Sequence, residues 1–298
     1  MDKERKPINW FIISGFIITL IALVTMTVDH VGVLLQVNVG MNYMPAVLMR
    51  YVGRLALPLF CFKAAEGVLH SKSPSKYLLR LGIMGTLISV SMIVVEYVPF
   101  FEGYSLRGFG NIYVDLFLGA LSIFLLTRNK WYLKALVILP IALAITSFFV
   151  SCLENSETMI IHWYPFFLKS QFGIYSVGMI VGFYLIRYLR DFFLQSYSDK
   201  SGIPVDSLKD TAIDRFALNV FSFGVVVIFT IVLFIISFFI PQEWIFWLRG
   251  IQNAAIISGA FLLLYNGNRG YNSKWFQYLV YAYYPLHLLV IFGIGLFI

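Results

Sequence analysis

Nine apolar runs follow one another along the chain, at residues 10–36, 44–69, 77–98, 111–127, 131–151, 166–188, 216–240, 244–265 and 276–297. About 20 such residues cross the roughly 30 Å of a bilayer's hydrocarbon. Backbone placed there must satisfy its own hydrogen bonds, which an isolated run can do only as a helix. The runs therefore imply an all-α, polytopic transmembrane bundle of about nine spans, forming a single integral-membrane domain over residues 1–298. Composition agrees. The chain is 60% hydrophobic and 12% charged, against about 45–50% and about 25% in soluble domains.

Lys and Arg accumulate in loops that stay in the cytoplasm. Lys3, Arg5 and Lys6 precede the first run, Lys72, Lys76 and Arg80 surround the second loop, and Arg128, Lys130 and Lys134 the fourth. Arg187, Arg190, Lys200, Lys209 and Arg215 mark the sixth, and Arg269 and Lys274 the eighth. The intervening loops carry Arg107 alone, or Glu154 and Glu157 with no basic neighbour. This alternation predicts an N-terminus inside and a C-terminus outside, with residues 189–215 as a cytoplasmic connector too short for a domain. A retained first span is expected rather than a cleaved signal peptide. The net charge of +7 sits in these loops, so the lipid bilayer and not nucleic acid is the expected partner. Cys61 and Cys152 have no metal-ligand spacing and read as packing residues; no metal site is expected. Trp10, Trp131, Trp163, Trp244 and Trp275 fall at run ends, as an interfacial belt does.

Ionisable residues inside hydrocarbon cost about 2.5 to 3.5 kcal/mol each on insertion scales, so those that remain mark function or pairing. Asp29 and His30 interrupt the first run. Arg50 and Arg54, four apart on one helix face, enter at similar depth on the second, with Lys63, Glu66 and His70 further along and Pro58 expected to kink the helix between the two sets. Asn111 and Asp115 enter on the fourth run. His30, surrounded by carboxylates and arginines, has the means to move a proton or act as a nucleophile. Adjacent helical side chains diverge by about 100°, so Asp29 is expected to pair with Arg50 or Arg54 and Asp115 to orient His30. The bland readings are that buried ion pairs only lock packing, that Lys63 and Glu66 form a local helical pair, that Lys169 snorkels, and that His70 and His162 are solvated.

The stretches "MTVDHVG", "RYVGRLALPLFCFKAAEGVLHSKSPSKYLLRL", "NIYVDLFLG" and "YAYYPLHLLV" together resemble the TraX family, named for an enzyme that acetylates the N-terminal amine of a conjugative pilin and similar to the wider group of transmembrane acyltransferases. That resemblance implies a cytoplasmic acyl-CoA, most simply acetyl-CoA, as donor and a pilin-like peptide, surface glycan or lipid as acceptor on the outer side. It assigns the catalytic role to His30; Asp29 and Asp115 join it as catalytic residues on the charge reading above and not through the family. By the same resemblance Arg50, Arg54, Glu66 and His287 become substrate-binding residues; Asn111 is added on its own chemistry, Arg54 and Asn111 being fixed donors for an oxyanion. Lys63, Lys76 and Arg80 become the phosphate-holding residues for CoA. The competing reading is a proton-coupled carrier using the same Asp, His and Arg set, although no inverted repeat of interrupted helices accompanies it.

Overall fold

A computed structural model describes residues 11–98, 110–155, 161, 163–165, 168–239 and 251–295. The N-terminal basic residues, Trp10, Arg107, Glu157, His162 and Trp244 lie outside the described residues. Those described form helices α1 (Gly15–Asn38), α2 (Met44–Gly53), α3 (Ala56–Leu69), α4 (Pro74–Tyr97), α5 (Ile112–Leu126), α6 (Trp131–Ala135), α7 (Ile138–Asn155), α8 (Ile174–Ser201), α9 (Val205–Leu208), α10 (Ala212–Ile236), α11 (Ser258–Leu263, after a 3-10 segment Ile251–Ile257) and α12 (Lys274–Gly295). Among the described residues no strand forms, only isolated bridges of Ile13 to Tyr265 and of Asn111 to Ser170.

Six stretches are long and apolar enough to cross a membrane: Gly15–Asn38, Met44–Leu69, Pro74–Tyr97, Trp131–Glu154, Ala212–Ile236 and Lys274–Gly295. Their outward residues, among them Val24, Leu79, Leu87, Phe149, Ile228 and Leu289, are exposed, a surface suited to lipid and not to water. The chain is an integral membrane protein. The other three expected spans depart from the simple pattern for identifiable reasons. α5 has 15 residues, about 22 Å at 1.5 Å per residue, short of the hydrocarbon thickness. It is tolerated because ten of those residues are buried by neighbouring helices. Of the expected run 244–265 the described part is the apolar helix Ile251–Leu263. α8 starts at Ile174 and runs 28 residues to Ser201, well into the expected connector. Charged residues such as Arg187, Arg190 and Asp191 do not stop a helix; Gly202, left-handed at φ 72°, does, with Pro204 close behind.

The expected kink also falls elsewhere than at the proline itself. Pro58 has no N–H for the carbonyl four residues back, and its ring crowds that carbonyl. The α2–α3 break accordingly sits at Arg54 and Leu55, whose amides reach Tyr51 and Val52 in a tight turn at 3.3 and 3.2 Å. α3 and α5 make the centre of the bundle. On α3, Leu59, Cys61, Ala64 and Ala65 are almost completely buried, and Gly119 of α5 sits directly under Ile180 of α8. Both cysteines are buried and unpaired. The chain ahead of α1 is stitched to the segment before α12: Ile13 N–H donates to the Leu264 carbonyl at 2.9 Å, and Gly15 and Phe16 to Asn268 and Arg269 at 2.8 Å each.

Candidate active site

Asp29 is the hub of one polar cluster. Its two oxygens accept from different arginines, Oδ2 from Arg50 Nη1 at 2.7 Å and Oδ1 from Arg54 Nη2. The helix break lets both guanidiniums converge, since Arg50 lies in the last turn of α2 and Arg54 caps it. Arg54 Nε also donates to the Arg50 carbonyl at 3.2 Å. Only 7% of Arg54 and 13% of Asp29 remain exposed, so the carboxylate meets the guanidiniums away from solvent. Space for the carboxylate comes from Gly53: a Cβ there collides with Asp29 Cβ and Oδ1. We expect Gly53→Ala to lower stability by about 1–3 kcal/mol and to weaken the pair, measured as the thermal midpoint in detergent.

His30, the next residue, points away from that hub toward α12, as the 100° step requires. Its Nδ1 lies 2.8 Å from the Met26 carbonyl and 3.3 Å from His287 Nε2. The two rings stand 4.9 Å apart at 71°. His287 is buried, stacks on Tyr283 at 5.3 Å and meets Tyr284 edge-on. One helical turn below, Thr27 Oγ1 and Tyr283 Oη are 2.7 Å apart. The Thr27 hydroxyl donates to the Leu23 carbonyl at 3.0 Å, so the tyrosine is the donor between them. Two contacts in the same order, 27 with 283 and 30 with 287, mean that α1 and α12 run parallel here.

Pro285 lies within α12 and denies the Tyr281 carbonyl its helical partner. Tyr113 of α5 supplies the missing donor, its hydroxyl reaching that carbonyl at 2.9 Å. Its ring also packs on Tyr284 at 5.7 Å. Tyr113→Phe leaves a partly buried carbonyl unsatisfied, and we expect a loss of about 1–3 kcal/mol, seen as faster hydrogen exchange in α12.

Two expected site residues are corrected. Asp115 does not orient His30: buried completely, it accepts from the amides of Gln171 and Phe172 at 2.6 and 3.1 Å and from Ser176 Oγ at 2.5 Å. It holds the turn that opens α8, where Gly173 adopts φ 57°, ψ −130°. Nor is Asn111 free to meet a reacting oxygen. Its amide donates to the Gly85 carbonyl and Ser89 Oγ at 2.7 and 2.9 Å while its oxygen caps α5 through Tyr113 N–H at 2.9 Å. Lys169 does not snorkel; it is buried and paired with Glu154.

A second cluster lies at the far end of α3, about 18 Å from Arg54 at 1.5 Å per residue. Glu66 pairs there with Arg187 at 3.2 Å and half-exposed His70 at 3.3 Å and accepts from the Tyr265 hydroxyl at 3.4 Å, while Lys63 of the expected pair acts on it electrostatically without a close ion pair. Glu66, Arg187, Arg190, Arg215, Asp214 and Tyr265 are among the residues lining a pocket of about 90 Å³. Arg190 faces Asp214 at 3.0 Å. Arg215 lies over the Tyr265 ring at 5.5 Å and pairs with no carboxylate among the described residues. These three arginines were legible only as loop charge. The expected phosphate-holding residues do not gather: Lys63 lies against Gly15, Lys76 is exposed, and Arg80 lies over Tyr281 at 6.0 Å. No group of three or more His, Cys, Asp or Glu suited to a metal occurs among the described residues.

A family model described as TraX protein matches residues 14–188, more than half of the chain. Asp29, His30, Arg50 and Arg54 fall within it and His287 beyond it. Over 74 residues the chain is 39% identical to a probable fimbrial assembly protein, FimC of serogroup H1, from Dichelobacter nodosus, covering 25% of this chain and 29% of that one. Over 164 residues it is 27% identical to an uncharacterized protein of Rickettsia prowazekii (strain Madrid E), covering 55% and 52%. The chain thus spans about half the length or less of these curated relatives. No solved structure matches it.

Proposed function

The chain belongs to the TraX protein family, and from that premise we propose that it is a membrane-embedded acyltransferase, moving an acetyl group from acetyl-CoA to an amine or hydroxyl. The observation that carries this reading is the setting of His30. A carbonyl can only accept, so the Met26 carbonyl at 2.8 Å keeps the neutral ring's proton on Nδ1. That leaves the Nε2 lone pair for chemistry. Nε2 takes the acceptor's proton as the acceptor attacks the thioester, or takes the acyl group itself and passes it on. Arg50 and Arg54 each spend one nitrogen on Asp29 and Arg54 a second on the Arg50 carbonyl; their remaining N–H groups serve a developing oxyanion in this reading, since fixed donors in a water-poor site are effective.

The donor's phosphates belong, in this reading, at the pocket lined by Arg187, Arg190 and Arg215, since guanidinium forks match phosphate oxygens. Lys63, Lys76 and Arg80 keep at most a long-range attraction for the same anion. We place the pocket on the cytoplasmic side of nine membrane segments, N-terminus inside and C-terminus outside, in a bacterial cytoplasmic membrane. Parallel α1 and α12 accord with odd-numbered segments crossing in the same sense. The fimbrial name of one relative favours a pilin-like peptide as acceptor.

The test is direct. Purified protein in lipid nanodiscs is given [14C]acetyl-CoA with a pilin-like N-terminal peptide, and label on the peptide and free CoA thiol are followed. Transfer that Arg187→Gln with Arg215→Gln weakens mainly through KM supports the reading. CoA that neither binds nor stabilises the protein against heat, with no label moved to peptide, glycan or lipid, ends it in favour of a carrier.

A further inference from the structure

His287 lies outside the segment that the family model matches, yet its Nε2 stands 3.3 Å from the protonated edge of the reactive ring. The hydrogen-bond partners fix its state. His287 Nδ1 is 2.8 Å from the Tyr283 carbonyl, which can only accept, so neutral His287 carries its proton on Nδ1 and presents a bare Nε2 to His30. His30 Nδ1–H faces that lone pair at 3.3 Å while also donating to Met26. The arrangement joins one donor and one acceptor, with no repulsion between two N–H groups.

We propose that His287 is the proton partner of His30, so that the two imidazoles hold one transferable proton between them. This rests on the acyl-transfer reading above and adds to it a positioning residue that acts through His30. As the acceptor X–H attacks the thioester carbonyl, its proton bonds to His30 Nε2 and the proton on His30 Nδ1 shifts to His287 Nε2. When the C–S bond breaks, the thiolate takes the proton from His30 Nε2, and the proton on His287 Nε2 returns to His30 Nδ1. Nothing is left over, and no outside acid or base is needed. The Tyr283 hydroxyl on Thr27 sets the register of the two helices, and its ring stacked on His287 sets the imidazole plane.

The protein has four histidines, which makes the pair accessible to 15N NMR of histidine-labelled, ligand-free protein in nanodiscs, with assignments from His70→Asn and His162→Asn. Two of the four signals should titrate in mutually dependent steps, as coupled sites do. His287→Gln, which can hydrogen-bond but not take a proton, should convert His30 to one simple step. In the acetyl-CoA assay the same variant should lower kcat by about 10–100-fold, within the usual scale of acid–base catalysis, with KM unchanged. If His287→Gln fails to fold, wild type alone decides: a through-bond correlation between His30 Nδ1 and His287 Nε2 supports the shared proton, and its absence across the titration overturns it. A His30 titration identical in wild type and His287→Gln overturns it as well. Because the NMR needs no substrate, a missing coupling refutes the pair alone, whereas coupled histidines in a protein that leaves acetyl-CoA untouched refute the acyl-transfer reading.

Discussion

Replacing Asp29 by Asn is expected to be the most damaging single change away from the core, lowering stability by about 3–5 kcal/mol, the scale for orphaning a buried charge. The carboxylate meets two guanidiniums at once, and its loss leaves both largely shielded from water and repelling each other. Arg50→Gln should cost less, because Asp29 keeps the more deeply buried Arg54. The triple change Asp29→Asn, Arg50→Gln, Arg54→Gln should recover much of the loss, since no charge is then left unmatched. Thermal unfolding of the four proteins in one detergent checks the order. An Asp29→Asn protein as stable as the parent means the cluster is hydrated and the buried-pair account is wrong.

The second large effect is chemical. His30→Gln should reduce acetyl-CoA turnover by at least about 10²–10⁴-fold, the range for removing a positioned acid–base group, and further if the imidazole carries the acyl group. Stability should fall by no more than about 1–3 kcal/mol, since the ring is only partly buried and gives up one backbone and one imidazole contact, each within the usual hydrogen-bond scale. Turnover against acetyl-CoA concentration, read beside the melting curve, separates a lost reaction from a lost fold. An active His30→Gln protein removes the histidine from the mechanism.

The sequence revealed the bundle and one half of the candidate site, and the physical reasons differ. Runs of about 20 apolar residues permit few structures other than membrane helices, so the class followed from pattern alone. Asp29 with Arg50 and Arg54 was legible because three charges at similar depth in hydrocarbon must find one another. The double pairing was not, since it needs the break that Pro58 imposes a turn earlier, at Arg54. Asp115 misled for the same reason that made it visible: a buried carboxylate demands donors, but here they are backbone amides of residues 171 and 172, and amides leave no mark in a sequence. Asn111 was misread likewise, as its partners are a carbonyl and a serine hydroxyl.

α12 carries a subtler signal. His287 was visible as a mid-run histidine, but its partner was not, because residues 257 positions apart share no local pattern. The repeat of polar residues on matching faces, Thr27 and His30 on α1 with Tyr283 and His287 on α12, was the available clue. Hydrophobic periodicity passes over it, since tyrosine counts as apolar. The three arginines of the second pocket were hidden differently: loop charge is expected for topology alone, which masks charges that also line a cavity.

The account depends most on acetyl-CoA reaching His30. A structure determined in lipid with a non-hydrolysable acetyl-CoA analogue bound tests that at the reacting atoms. The account predicts adenosine phosphates on Arg187, Arg190 or Arg215 and the thioester carbonyl carbon within about 3.5 Å of His30 Nε2, near-attack distance. An analogue held elsewhere, or a His30 ring turned to lipid and closed off from the bound thioester, contradicts it.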